Sequence, residues 1–120
     1  MLSGRNKRIL QSPIIGRVVE LNKYIIAHGV KAPKLLQHHY ICKMWDKGAI
    51  LFECARRQLL GKDYVRRTVE LCEEIEAYAY LVATLGGWNP EVAGNINVMT
   101  EDIISQAEAH GQNHKPVEVR

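Results

Sequence analysis

Apolar residues recur at intervals of three and four positions along most of this chain. That spacing places side chains on one face of an α-helix and predicts helices whose apolar faces pack together. No stretch alternates between apolar and polar residues at every second position, which is the pattern of a half-buried β-strand. The sequence therefore predicts an all-α protein.

The first two predicted helices are separated by a glycine and a proline. We expect the first helix over about residues 14–28, because Gly29 suits the position that follows a helix end. Pro33 suits the first turn of the next helix, since a proline lacks the backbone N–H that would be unpaired there. That second helix is expected over about 34–60, before Gly61. The apolar stripes of the two helices consist of Ile14, Val18, Leu21 and Ile25, and of Ile41, Trp45, Gly48, Phe52, Ala55 and Leu59.

The third and fourth predicted helices have equally clear limits. Asp63 can cap a helix over about 63–85, because its carboxylate accepts from unpaired backbone N–H groups, and two glycines follow that helix. Asn89-Pro90-Glu91 supplies a capping residue, a proline and an acid, which favours a fourth helix over about 90–110. Their stripes consist of Leu71, Ile75, Tyr78, Val82 and Leu85, and of Val92, Ile96, Met99, Ile103 and Ala107.

The connections between these four helices are short, which favours antiparallel neighbours. At 120 residues the chain has room for one hydrophobic core. We therefore predict an antiparallel up-down-up-down four-helix bundle over residues 14–110. A basic N-terminal lead at 1–13 precedes it, and a flexible tail at 111–120 follows it.

No apolar stretch approaches the ~20 residues that span a bilayer. The N-terminus is basic, but Gln11, Ser12 and Pro13 interrupt the apolar run that a signal peptide would need. We therefore expect no contact with a membrane and a cytoplasmic location.

Basic residues gather in two segments that this topology places at one end. In an up-down bundle, the start of the first helix, the end of the second and the start of the third share that end. Segments 1–17 and 54–67 carry nine basic residues against the single acid Asp63, a net charge of +8 in a chain whose total is +3. The nine are Arg5, Lys7, Arg8, Arg17, Arg56, Arg57, Lys62, Arg66 and Arg67.

Guanidinium groups bind phosphates through paired hydrogen bonds, and salt then controls the affinity. The nine residues therefore predict a basic surface for RNA and/or DNA that contacts the phosphate backbone with weak sequence preference. Two alternatives stay open. The same surface can receive an acidic segment of a protein, or the charges can form a solvated face only.

Histidine, cysteine and glutamate residues are the candidates for metal ligands and catalytic groups. His38, His39 and Cys42 lie within about one helical turn and can supply two metal ligands, but further ligands are missing. The three cysteines, which include Cys54 and Cys72, are widely spaced in apolar surroundings, which predicts reduced, buried thiols. There is no Glu-x-x-His pair, phosphate-binding loop or nucleophile with an assignable base. We therefore expect no catalytic residue, no metal, no cofactor and no enzymatic activity.

The order of these features resembles a known family. Ala32-Pro33-Lys34 opens a long second helix, and Gly61-Lys62-Asp63 forms the next turn. The third helix ends with Glu74-Ile75, Tyr78, Leu81-Val82 and Leu85-Gly86. Over about residues 14–110, the chain resembles the four-helix-bundle family of diversity-generating retroelement accessory proteins (Avd) and of proteins encoded in intervening sequences of bacterial 23S ribosomal RNA genes.

The resemblance implies an accessory protein that binds nucleic acid through a basic surface and assists a reverse transcriptase. It also implies a homo-oligomer, a pentameric barrel of bundles. The alternative function is a protein–protein adaptor or assembly module without nucleic-acid binding, since polarised charge and a moderate core suit that role equally.

Overall fold

In a computed structural model of the chain, the backbone is described from residue 3 to residue 118 and the side chains from residue 3 to residue 111. Within that part the secondary structure is helical and no strand occurs, so the prediction of an all-α protein is confirmed. The elements are α1 (Gly4–Leu10), α2 (Pro13–Gly29), the short α3 (Lys34–Leu36), a π-helical stretch (Gln37–Ile41), α4 (Cys42–Leu59), α5 (Val65–Thr84) and α6 (Pro90–Glu118).

Helix α1 lies in the segment that the sequence analysis treated as a lead, residues 1–13. Ser3 caps it, because the serine hydroxyl accepts a hydrogen bond from the Asn6 backbone N–H at 3.1 Å. Leu10 packs against the core, and α1 contacts both α2 and α4. Residues 1 and 2 lie outside the described residues. The basic side chains of α1 therefore stand on a folded element.

The other helix limits differ from the predictions in three places. The second predicted helix contains a π-helical stretch at Gln37–Ile41, where the backbone register shifts. The third predicted helix begins at Val65 rather than at residue 63. Asp63 precedes it, and its carboxylate accepts a hydrogen bond from the Val65 N–H at 3.4 Å. The fourth continues to Glu118 instead of ending near 110. The last two residues of the predicted tail, 119 and 120, are not described.

Four long helices contact one another in a closed series: α2 with α4, α4 with α5, α5 with α6, and α6 with α2. The four residues predicted to form the stripe of α2 are all buried. None of the helices in the described part of the chain is long and apolar enough to cross a membrane.

The core face of α4 is rotated only in part from its predicted position, since Ile41, Gly48 and Ala55 of the predicted stripe are buried. Trp45, Phe52 and Leu59 are only partly buried, and Met44, Leu51 and Gln58 take the central positions. This rotation follows from the two neighbours of α4, because a helix between α2 and α5 directs its middle face, rather than one edge, into the core. On α5, Tyr78 is also partly buried and Leu85 is 50% exposed.

Candidate nucleic-acid interface

Distant segments of the chain meet at one end of the molecule. Gln58, near the end of α4, donates to the Ala107 carbonyl of α6 at 3.0 Å. Gly111 of α6 packs against Val65 at the start of α5. Helix α1 lies against α2 and α4 at this end. We call this region the α4–α5 end; it comprises α1, the start of α2, residues 54–67 and the later part of α6. All nine basic residues predicted to bind nucleic acid lie in it.

Two of the nine, Arg56 and Arg57, are held by a carboxylate. Arg56 Nη2 lies 2.6 Å from Glu53 Oε1, and Arg56 Nε lies 3.1 Å from Glu53 Oε2. Arg57 Nε donates to Glu53 Oε1 at 3.1 Å, and Arg57 Nη1 donates to the Tyr64 hydroxyl at 3.2 Å. These hydrogen bonds, chiefly the one from Arg56, lower the pKa of Glu53 to about 2. The carboxylate therefore stays ionised, and both guanidinium groups are engaged, at neutral pH.

Two further arginines of the set also contact acids. Arg17 of α2 forms an ion pair with Asp102 of α6. Arg67 lies 3.5 Å from Glu70 and 3.7 Å from Glu74 on its own helix. Glu74 also accepts a hydrogen bond from Lys47 at 2.8 Å, which is the main reason that its pKa is lowered. Four of the nine predicted residues are thus committed to contacts that hold helices together or stiffen one helix.

The remaining five basic residues are different. Each has an exposed side chain, and none forms an ion pair with a carboxylate in the described part of the chain. We call them the unpaired cations: Arg5, Lys7, Arg8, Lys62 and Arg66. They come from α1, from the turn before α5 and from the first turn of α5. Unpaired, exposed cations are the groups that can bind phosphate without first breaking an ion pair.

The acids that engage the paired arginines were not predicted from the sequence. Glu53 precedes Arg56 and Arg57 by three and four positions, the spacing of helical ion pairs, so this contact could have been found. Glu53 lies one residue before segment 54–67, over which the net charge of +8 is counted. The partner of Arg17, Asp102, is 85 residues away in the sequence, and no local signal indicates it.

The thiols offer no nucleophile at this end. Cys54 and Cys72 are free and buried, and burial raises the pKa of both, that of Cys72 to about 12. A thiol in that state carries very little of the reactive thiolate. Cys42 was predicted to be buried as well, but it is partly exposed, and its Sγ donates to the His38 carbonyl at 2.8 Å. Cys42 directly follows the π-helical stretch Gln37–Ile41. Among the side chains of residues 3–111, no three metal-ligating groups converge.

Comparisons of this chain with models of protein families, with curated proteins and with solved structures gave no match. Its residues and their geometry therefore provide the basis for a functional proposal.

Proposed function

We propose that this chain is a non-enzymatic protein that binds RNA or DNA through the phosphate backbone, at the α4–α5 end. One observation carries the proposal: five exposed cations, which have no acidic partner among the described side chains, stand on elements that meet at this end. The phosphate groups of nucleic acid are the anions that such a surface binds best, since each phosphate contact releases counterions from the nucleic acid.

The topology that brings these elements together is proposed to be an up-down-up-down four-helix bundle. Contacts between neighbouring helices favour it. Asn22 of α2 donates to the Gly48 carbonyl of α4 at 3.3 Å, and the later Gly29 packs against the earlier Trp45. Lys47 pairs with Glu74, while the later Arg57 meets the earlier Tyr64. In both pairs of helices the residue numbers run in opposite directions, as they do between antiparallel neighbours.

The paired and unpaired cations have separate roles in this proposal. The paired arginines fix the surface: Arg57 bonds to Glu53 and Tyr64 and so spans the turn between α4 and α5. The unpaired cations contact phosphates. Tyr64 is the only aromatic residue in segments 54–67 and 1–17, and its face is already 5.9 Å from the Arg57 guanidinium. Base stacking therefore contributes little, and we expect weak sequence preference.

The family resemblance supports a more specific role within this proposal. The chain would assist a reverse transcriptase in a diversity-generating retroelement, in the cytoplasm and as a homo-oligomer, with a pentamer implied. Nucleic-acid binding is the part of this role that its side chains argue for directly.

The test is fluorescence anisotropy with labelled RNA and DNA at low ionic strength. Replacing all five unpaired cations by glutamine should weaken binding by at least about tenfold, since each lost phosphate contact also removes counterion release. Circular dichroism should show an unchanged helical content, because all five side chains are exposed. Unchanged affinity in the substituted protein would show that this surface is not the binding site.

A second candidate function is an assembly module, and an apolar strip favours it. Val19 and Ile26 of α2 lie three residues before and four residues after Asn22, so they share its side of the helix. They are 40% and 51% exposed. Trp45 and Phe52 flank Gly48 in the same way on α4 and are partly buried. Because Asn22 contacts Gly48, the four apolar side chains line one shallow surface between the helices.

This strip would bury its apolar area against another subunit or an unrelated protein. Sedimentation velocity of the Val19→Glu/Ile26→Glu protein tests the idea. A mass that falls to that of one chain would support assembly through the strip. An unchanged mass would exclude the strip as the interface.

A further inference from the structure

The opposite end of the molecule carries a second group of lysine and histidine side chains. Residues 21–45 contain no Asp and no Glu, although Glu20 precedes and Asp46 follows this stretch. Six of its basic or imidazole side chains are exposed; Lys23 pairs with Glu20, and the other five form no ion pair with a described carboxylate. We call them the α2–α3 patch: Lys31, Lys34, His38, His39 and Lys43. They lie within thirteen consecutive residues.

The backbone beneath this patch is held firmly. Gln37 Nε2 donates to the Ala32 carbonyl at 2.6 Å and to the Val30 carbonyl at 3.3 Å, which ties the α2–α3 connection to the π-helical stretch. Trp88, itself buried, donates from Nε1 to the His28 carbonyl at 3.0 Å and so joins the end of α2 to the start of α6. The patch is therefore a fixed surface rather than part of a loose loop.

The two cationic surfaces lie at opposite ends of α2. Helix α2 runs from Pro13 at the α4–α5 end to Gly29 beside the patch. Its 17 residues span about 25 Å at the rise of an α-helix. That separation exceeds the Debye length of about 8 Å at physiological salt, so each surface attracts anions independently.

We infer that the α2–α3 patch binds a second segment of nucleic acid, and that one chain can bridge two segments. The inference rests on the proposed function of the α4–α5 end. A single acidic side chain would satisfy one lysine, whereas this patch offers three ammonium groups and two imidazoles with no carboxylate among them. A polyanion with closely spaced charges can contact several of these groups at once, because duplex DNA carries one charge per about 1.7 Å of its axis.

The experiment measures energy transfer between two short, non-complementary duplexes, one labelled with a donor and one with an acceptor. The wild-type protein should bring them together and raise the transfer efficiency. Lys31→Gln/Lys34→Gln/Lys43→Gln should abolish this signal, while its affinity for one labelled duplex falls by no more than about threefold, because the α4–α5 end is intact.

A matched control has the same net charge. Ala49→Glu/Ala77→Glu/Asn97→Glu also lowers the net charge by three, at exposed positions in the middle of α4, α5 and α6, away from both cationic surfaces. It should retain energy transfer. Loss of transfer in this control, to the same degree, would show that total charge rather than the patch is responsible and would overturn the inference.

The outcomes separate this inference from the proposed function. If the wild-type protein binds no single duplex, the proposed function fails. If it binds one duplex but does not raise energy transfer, only the second surface is refuted. If the lysine variant still bridges, bridging arises from assembly of α4–α5 ends, and a patch for nucleic acid is refuted; a protein partner would then be the remaining use of the patch.

Discussion

The two ends of the molecule each carry five exposed basic or imidazole side chains that form no ion pair with a described carboxylate, but the ends differ in the acids around these side chains. At the α4–α5 end, Glu53 and Asp102 engage three of the nine basic residues, and Arg67 is held by Glu70 and Glu74. At the α2–α3 patch there is no carboxylate in the segment at all. The first end is a mixed surface in which acids engage some of the cations, and the second holds three lysines and two histidines with no acid in the same stretch of sequence.

This difference teaches that a count of charges along the sequence overstates what a surface can bind. A net +8 over segments 1–17 and 54–67 becomes five available cations, because Asp102 of α6 and three acids on the arginines' own helices, Glu53, Glu70 and Glu74, engage the other four. An arginine in an ion pair must exchange one anion for another, so its net gain on binding phosphate is smaller.

The largest loss of nucleic-acid affinity should come from replacing unpaired cations rather than paired arginines. Arg5→Gln/Arg8→Gln/Arg66→Gln should weaken nucleic-acid binding by at least about tenfold, or ~1.4 kcal/mol, since direct phosphate contacts are lost. Arg17→Gln/Arg56→Gln/Arg67→Gln removes the same net charge and should weaken binding only about two- to threefold, through the long-range field alone. Anisotropy titrations at one salt concentration measure both.

The paired triple variant needs a check on folding, because Arg17 joins α2 to α6 through Asp102, and Arg56 and Arg67 form ion pairs within α4 and α5. Its thermal midpoint should fall slightly, whereas that of the unpaired triple variant should not change, since exposed ion pairs contribute about 0–1 kcal/mol each. Equal losses of affinity in the two variants would mean that pairing does not decide which cations bind.

A gain of affinity should follow when Glu53 is neutralised. Glu53→Gln releases Arg56 and Arg57 from an ionised carboxylate, so both become available to phosphate. We expect binding to tighten about three- to tenfold and the salt dependence to steepen by about one to two in the exponent. Glu73→Gln is the control, because it adds the same charge at an exposed position of α5 that holds no arginine of the set. A similar gain in both would point to net charge alone.

Because the pKa of Glu53 is about 2, acid should not reproduce this gain between pH 7 and pH 5. The depressed pKa means that the pairing is retained above the unfolded pKa of about 4.3 and is lost only as the pH falls toward 2.

The smallest effect concerns Glu76, a carboxyl group whose pKa is raised rather than lowered. Burial, together with Glu101 and Glu73, raises the pKa of Glu76, although the Thr100 hydroxyl donates to it. At pH 7 the charged form is therefore a cost to the folded state. Glu76→Gln should raise the thermal midpoint by roughly 2 to 5 °C at pH 7. The gain should shrink as the pH falls below the raised pKa, where wild-type Glu76 binds a proton in the folded state. A destabilised variant at pH 7 would contradict this account.

Much of the fold could be predicted because it is encoded locally. The stripe of α2 and the signals at Gly29, Pro33 and Asn89-Pro90 fix where long helices begin and end. Helix α1 was missed because Gln11, Ser12 and Pro13 mark a break, yet the break lies after a helix that Ser3 begins. The π-helical turn and the rotation of α4 depend on which neighbours pack against the helix, and periodicity in one segment does not contain that information.

The candidate site could be predicted only in part, for the same reason. The gathering of α1, α4 and α5 residues at one end follows from helix order and short connections. The pairing of Arg17 with Asp102 depends on how α2 and α6 are aligned, which no local pattern specifies. The α2–α3 patch lies in a stretch without acids, where the sequence indicated only His38, His39 and Cys42, as candidate metal ligands.

The salt dependence of binding by the wild-type protein tests the central claim most directly. Anisotropy titrations between low and physiological salt give the slope of log affinity against log salt concentration. Five unpaired cations at the α4–α5 end predict a slope of about −4 to −5 for a duplex that occupies this end. Absence of binding at the lowest salt, or an affinity that does not change with salt, would contradict the account.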